Sequence, residues 1–357
     1  MRSQIKHGER RVCRPAAGLL LLLAFAAGCS SNTLQTAPPT IAPAQPADSP
    51  PLSQHPAGEV RQLTGRPQAA IFDARTAALV ILTSGPTPQA PANVSVLGSE
   101  QTPPRIIDLP GPATGLTGDG GGTAYLSTRG GYFVVDLSVG RAVRVSFSDA
   151  ENIDFTAITR RADGTVVLGS ADGTVYTLAA GSPTGDPRPT AVGNQTKIFG
   201  HVDSLAAQGN TVAILDRSQT SVITMGSDGK VGQALRAGQG ATTMVADSAG
   251  RILVTDTRGG QLLVFGVDPL LLRQAYPVRQ SPYGLAGSGG LTWVSQTATN
   301  MVIGYDLSTG IPLEKVRYPT VRQPNMLAFD DAAGTLYVVS GSGGGVQLIE
   351  RAAAGSH

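Results

Sequence analysis

From Arg61 onward the chain alternates short apolar runs with polar turns, and no helical period of comparable length interrupts them. Seven segments share one order of features: a Pro or polar start, a short apolar strand, a Gly/Asp turn, a strand ending near Ser or Asp, a polar turn and another apolar strand. They begin near Pro67, Pro112, Asp154, His201, Ala241, Pro282 and Pro324, at spacings of 45, 42, 47, 40, 41 and 42 residues. The clearest copies run Pro282-Tyr283-Gly284-Leu285-Ala286, Leu291–Ser295 and Met301–Asp306, then Pro324–Phe329, Thr335–Ser340 and Gly345–Ile349. Asp163-Gly164, Asp172-Gly173 and Asp228-Gly229 mark tight hairpins between strands. A period of 40–47 residues built of short strands predicts an all-β, seven-bladed β-propeller over residues 58–351. Seven such units are hard to arrange as two β-sandwiches, the competing architecture.

The ends of the repeat region predict how the ring closes. Six segments carry a fourth strand, such as Arg105–Leu109, Ala142–Phe147 and Lys315–Tyr318, whereas the last stops after Ile349 and runs into a small-residue tail over 352–357. The stretch Glu59–Pro67 has the same form as Glu314–Pro324, so the N-terminal strand is expected to complete the last blade.

The first 28 residues have the form of a secretory signal: Arg2, Lys6, Arg10, Arg11 and Arg14 precede an apolar run from Ala16 to Ala27. That run is shorter than the roughly 20 residues a membrane-spanning helix needs. Ala26-Ala27-Gly28-Cys29 resembles a bacterial lipobox, which implies cleavage before Cys29 and a diacylglycerol on its thiol. The chain is then expected on the extracytoplasmic face of the cell membrane, held there by its N-terminal lipid. Residues 30–57 contain seven prolines and one charge, Asp48, and predict a disordered tether. Fully extended, it would reach on the order of 80–90 Å.

Charge and cysteine content narrow the picture. The leader's five basic residues and Glu9 give it a net +4; removing that from the +2 of the whole chain leaves −2. With no basic run elsewhere, a nucleic-acid partner has no electrostatic footprint. Cys13 lies in the leader, so the mature chain contains no disulfide and stands on its hydrophobic core. A monomer is expected.

The Pro-x-x-Leu-Ala starts and the strands ending in Ser or Asp resemble the superfamily of NHL-repeat, YncE-like and SMP-30/gluconolactonase-like propellers, from Arg61 to Glu350. A lipobox followed by a proline-rich segment also resembles the envelope propeller lipoproteins of actinobacteria. WD40 and quinoprotein patterns are absent; the single Trp293 is followed by Val294.

Chemistry-bearing motifs are few. His201 is the only histidine between Glu59 and Arg351, and there is no Gly-x-Ser-x-Gly, His-Glu-x-x-His or Cys-x-x-Cys. The glycines of 118–122 and 341–345 lack the features of a phosphate loop and are assigned to turns. Propeller ligands usually bind where the innermost strands begin. Placing the repeats in register there gathers Gln68, Asp154, His201, Asp203, Thr242, Tyr283 and Asn325, with Asp154, His201, Asp203, Tyr283 and Asn325 as candidate ligand-binding residues. Asp216 and Asp256 end second strands and are assigned to turn capping. The expected function is a non-catalytic binding or scaffold module without a cofactor. The alternative is a metal-dependent lactonase-like hydrolase, because the gluconolactonase resemblance implies a divalent cation such as calcium held by Glu, Asn and Asp. Pro324-Asn325 fits that pattern, while Met326 stands where the family has Gly and no Glu falls in the set.

Overall fold

The computed structural model describes residues 39–98, 103–178, 191–198 and 200–354. The leader, Cys29 and the chain up to Pro38 lie outside them, as do residues 355–357. Among the described residues, no helix is long and apolar enough to cross a membrane.

Alternation of β-branched and aromatic residues with polar ones, punctuated by Asp-Gly turns, produces seven antiparallel sheets of four strands each. Gly164, Gly173 and Gly229 take positive φ in those turns, a conformation that costs glycine nothing. The inner strands are Arg66–Asp73, Leu116–Gly118, Phe155–Arg160, Ser204–Gln208, Ala241–Ala246, Pro282–Gly287 and Pro324–Asp330, one each for blades 1 to 7. Each inner strand touches the next, and that of blade 7 touches that of blade 1, so the ring is closed.

Closure follows the form expected from the sequence. Glu59–Arg61 pairs antiparallel with Val346–Ile349, setting Glu59 opposite Leu348 and Arg61 opposite Val346, and so supplies the fourth strand of blade 7. Two glycines permit the approach: a Cβ on Gly58 would lie 2.1 Å from the Leu348 carbonyl oxygen, and one on Gly345 2.3 Å from that of Arg61.

The core lies between blades. The second strands are buried almost throughout, and side chains from one blade interleave with those of the next. Between blades 1 and 2, Val80, Leu82 and Ile107 meet Leu126, Phe133 and Val135. Between blades 6 and 7, fully buried Trp293 stacks on Phe329 with ring centroids 5.7 Å apart. Outer strands carry the exposed charges. The C-terminal tail is not free of the domain: Ala352–Ala354 forms a short 3₁₀ turn in which Ala352 is buried and its carbonyl accepts a hydrogen bond from Tyr318 Oη at 2.7 Å.

Composition misleads over residues 39–57. In place of a disordered tether, this segment lies as a strap on the face of the ring where the inner strands begin, hereafter the mouth face. Ser49 is 4% exposed, and its hydroxyl donates to the Thr297 carbonyl at 2.7 Å and accepts from the Gln323 N–H at 2.8 Å. The physical reason is that its anchoring does not depend on apolar side chains. Proline-rich chain is already stiff, so it loses less entropy on docking, and its carbonyls are free to accept from the propeller's side chains.

Candidate functional site

A cavity of about 460 Å³ opens at the centre of the mouth face. One residue of each blade faces it from the same position, two before the first inward apolar residue of the inner strand: Gln68, Thr114, Thr156, Asp203, Thr242, Tyr283 and Asn325. In five of the seven blades a bulge aims these side chains. The pairing of inner and second strands skips Gln68, Thr156, Thr242, Asn325 and the pair Tyr283-Gly284, leaving an extra residue turned toward the axis. In blade 4 the Asp203 N–H donates to Leu215 O at 2.9 Å while Ser204 pairs with that same residue, which places Asp203 equivalently.

Of the residues expected from sequence, Gln68, Asp203, Thr242, Tyr283 and Asn325 line this cavity, whereas Asp154 and His201 do not. Each of these two lies two residues ahead of the bulge position of its blade. The Asp154 side chain is 58% exposed and sits 3.5 Å from Arg129 Nη1 on the rim. Thr114 and Thr156 take the places missing from the sequence-based set. Registering the repeats on the first inward apolar residue (Leu116, Ile158, Leu205, Leu327), and not on the segment start, finds both.

Three of the seven are committed to the fold. Thr114 Oγ1 donates to Phe155 O at 2.7 Å and Thr156 Oγ1 to Val202 O at 2.5 Å, each stapling its blade to the next; Thr242 Oγ1 lies 2.6 Å from Thr257 Oγ1. Asp203 is half committed: its Oδ2 accepts from the Arg217 backbone N–H at 2.8 Å. The Asn325 Oδ1 is buried and has no hydrogen-bond partner among the described residues. A buried acceptor left unpaired is costly and marks a position where a donor is accommodated.

Asp203 also faces His201, whose Nδ1 lies 3.3 Å from Oδ1, in the geometry of an ion pair and not of an aligned hydrogen bond. The polar contact with Asp203 raises the imidazole pKa, burial opposes it, and the charges of Asp203 and Asp216 add to the rise. A raised folded-state value means that this pair stabilises fully below the ordinary histidine value of 6.5, and that its contribution fades as pH rises through the folded value. Asp203→Asn is therefore expected to move the His201 titration to lower pH, measured by NMR of the ring protons. An unmoved titration would remove Asp203 as the cause.

Asp216 and Asp256 are fully buried and cap turns, as their positions suggested. Asp216 accepts from Ser218 Oγ at 2.6 Å and Gln219 N at 2.9 Å; Asp256 accepts from three backbone N–H groups.

No family model and no curated protein matches the chain. Solved structures do. A streptogramin B lyase is 11% identical, with a TM-score of 0.64 over 82% of this chain and 97% of that one. A catalytically inactive virginiamycin B lyase from Staphylococcus aureus with quinupristin is 12% identical, with a TM-score of 0.62 over 81% of this chain and 97% of that one. A chain of a mitotic checkpoint complex is 10% identical, with a TM-score of 0.67 over 86% of this chain and 98% of that one. Enzymes and assembly components alike share the architecture, so the likeness is one of fold: this chain is a seven-bladed β-propeller.

Proposed function

We propose that the chain is a lipid-anchored envelope protein whose propeller binds, without catalysis, a compact neutral or cationic ligand at the channel mouth. The observation that carries this reading is the ring of bulge residues. It sets the side chains of Gln68, Tyr283 and Asn325 and the single carboxylate of Asp203 around one cavity, with the Asn325 Oδ1 unpaired among the described residues. A carboxylate among amides and hydroxyls favours donors and positive charge and disfavours anions.

The lactonase-like alternative needs a shell of Glu, Asn and Asp around a divalent cation. The mouth offers Asp203 and Asn325, with Asp203 already holding the Arg217 N–H, and no group of three or more His, Cys, Asp or Glu able to hold a metal occurs among the described residues. That donor set does not fit a six- to eight-coordinate calcium site. Accordingly, millimolar calcium or magnesium is expected to leave the melting temperature unchanged, because only a ligand that binds the folded state raises it. In a ligand-detected NMR screen of small neutral, cationic and anionic compounds, binders are expected among the first two classes and to be lost in Asn325→Leu. A calcium-dependent rise abolished by Asp203→Ala would instead establish the metal site.

The anchor is tested separately. Cys29→Ala is expected to move the protein from the membrane to the soluble or secreted fraction, since it removes the only thiol remaining after processing. Equal membrane retention of this variant refutes the anchor.

A further inference from the structure

The strap fixes where the chain leaves the propeller on its way toward Cys29. Antiparallel strands put the starts of the inner strands and the turns between second and third strands on the same side, and the strap runs along that side over four successive blades. In blade 4, Ser218 O accepts from the Ile41 N–H at 2.8 Å, and Arg217 donates to Ala44 O. In blade 5, Arg258 donates to Ala42 O at 2.8 Å. Gly240 leaves room for the passage, since a Cβ there would lie 2.9 Å from that of Ala44. Ser281 Oγ accepts from the Ala47 N–H at 3.0 Å, and in blade 6 Asn300 donates to Pro50 O at 2.9 Å. On the approach to blade 7, Arg322 donates to Ser49 O at 2.9 Å and Gln323 Nε2 to Ala47 O at 2.9 Å. Ser281, Asn300 and Gln323 all hold left-handed backbone (φ 57, 52 and 54), a conformation that costs non-glycine residues energy and here presents their side chains or N–H groups to the strap.

This docking shortens the leash. Ten residues, Cys29–Pro38, separate the lipid-bearing cysteine from the described chain, and whatever path they take they span at most about 33–36 Å. To lay the opposite face on a bilayer they would have to pass from the strap's start over two strands, about 10 Å, and down a six-residue strand, about 20 Å, plus the turns at each end. That takes about 30 Å of the span before either turn is counted, and leaves almost no chain to bring Cys29 to the membrane. The mouth face needs no such extension. Its surface also suits anionic headgroups. Arg217, Arg236, Arg258, Arg279 and Arg322 lie along blades 4 to 7 on this side, and none forms an ion pair among the described residues.

We infer that the strap over residues 39–57 holds the channel mouth toward the lipid surface, so that ligands reach the ring of bulge residues from the membrane side. This rests on the anchor at Cys29. The competing surface is an apolar arc on the opposite rim, where the outer strands of blades 4 to 6 begin, with Val231 41%, Leu271 48%, Leu272 46%, Ile311 65% and Leu313 43% exposed.

Because the processed chain keeps only its lipid-bearing cysteine, Arg279→Cys on the mouth face and Leu272→Cys on the opposite rim each supply a unique free thiol. The lipidated, processed variants carry a fluorophore on the introduced thiol and are reconstituted in vesicles of phosphatidylcholine and phosphatidylglycerol that carry a headgroup quencher. Quenching at position 279 is expected to exceed that at 272 several-fold. The combined variant Ser49→Ala, Arg258→Ala, Arg322→Ala releases the strap and is expected to erase the difference while the protein still sediments with vesicles. Equal quenching at both positions in the unreleased protein overturns the orientation. Stronger quenching at 272 overturns it in favour of the apolar rim. A protein that fails to sediment with Cys29 intact overturns the anchor, and with it this inference, and is told apart from the other two outcomes by sedimentation alone.

Discussion

A chain that begins at Arg66 is expected to melt about 10 °C below one that begins at Ala57. The two differ by nine residues, of which Glu59–Arg61 forms the outer strand of blade 7 and Leu63 fills a cluster with Leu79, Tyr337 and Val339 between blades 7 and 1. Leu63 is 8% exposed, and losing a buried leucine costs about 2–5 kcal/mol. The lost ladder bonds add about 1 kcal/mol each. At roughly 2 °C per kcal/mol for a domain of this size, the drop is on the order of 10 °C. Without that strand, Val346–Ile349 becomes an unprotected edge, so the shorter chain is also expected to aggregate on heating. Thermal melts with light scattering measure both. Equal melting temperatures would show that closure through the N-terminal strand contributes nothing to stability.

The same strand illustrates what a sequence makes legible. Ring closure is readable because the last repeat visibly lacks a strand that Glu59–Arg61 visibly supplies; both signals are local and repeat a known pattern elsewhere in the chain. The strap is not readable in this way. Its partners, Arg217, Arg258, Asn300 and Gln323, are scattered over four blades, and nothing within residues 39–57 signals that they await it. Compositional reasoning counts apolar side chains, and this segment docks through its carbonyls. At the mouth, the start of a repeat and the residue that lines the cavity differ by two positions in blades 3 and 4. Segment starts such as Asp154 and His201 catch the eye as charged or titratable, yet a bulge hands the inward position of blade 3 to Thr156, and the backbone bond of Asp203 to Leu215 gives that of blade 4 to Asp203. A bulge depends on hydrogen-bond pairing across strands, which a single strand's sequence does not show.

Hydrogen bonding within blade 5 sets the cost of Asp256→Ala, expected to lower stability by about 4 kcal/mol. The carboxylate is fully buried and forms no ion pair among the described residues. Its Oδ2 accepts from Gln239 N at 2.9 Å, and its Oδ1 from Gly240 N at 2.8 Å and Gly259 N at 2.9 Å. These three N–H groups belong to the loop that opens the inner strand of blade 5 and to the turn that ends its second strand. Gly238 and Gly259 make way for the carboxylate, since a Cβ on either would come within 2.0 Å of Oδ2. Truncation to alanine leaves buried donors unpaired at about 1–3 kcal/mol each, partly relieved where water enters the space. Asp256→Asn keeps one acceptor oxygen for Gly240 and Gly259 but turns an amide donor toward the Gln239 N–H, and is expected to fall between the two. Asp154→Ala provides the contrast: its exposed pair with Arg129 is expected to contribute less than about 1 kcal/mol. Chemical denaturation of the three variants measures the order. A loss of under about 1 kcal/mol in Asp256→Ala would mean that the loop finds other acceptors, and that the carboxylate is kept at this turn for a reason other than stability.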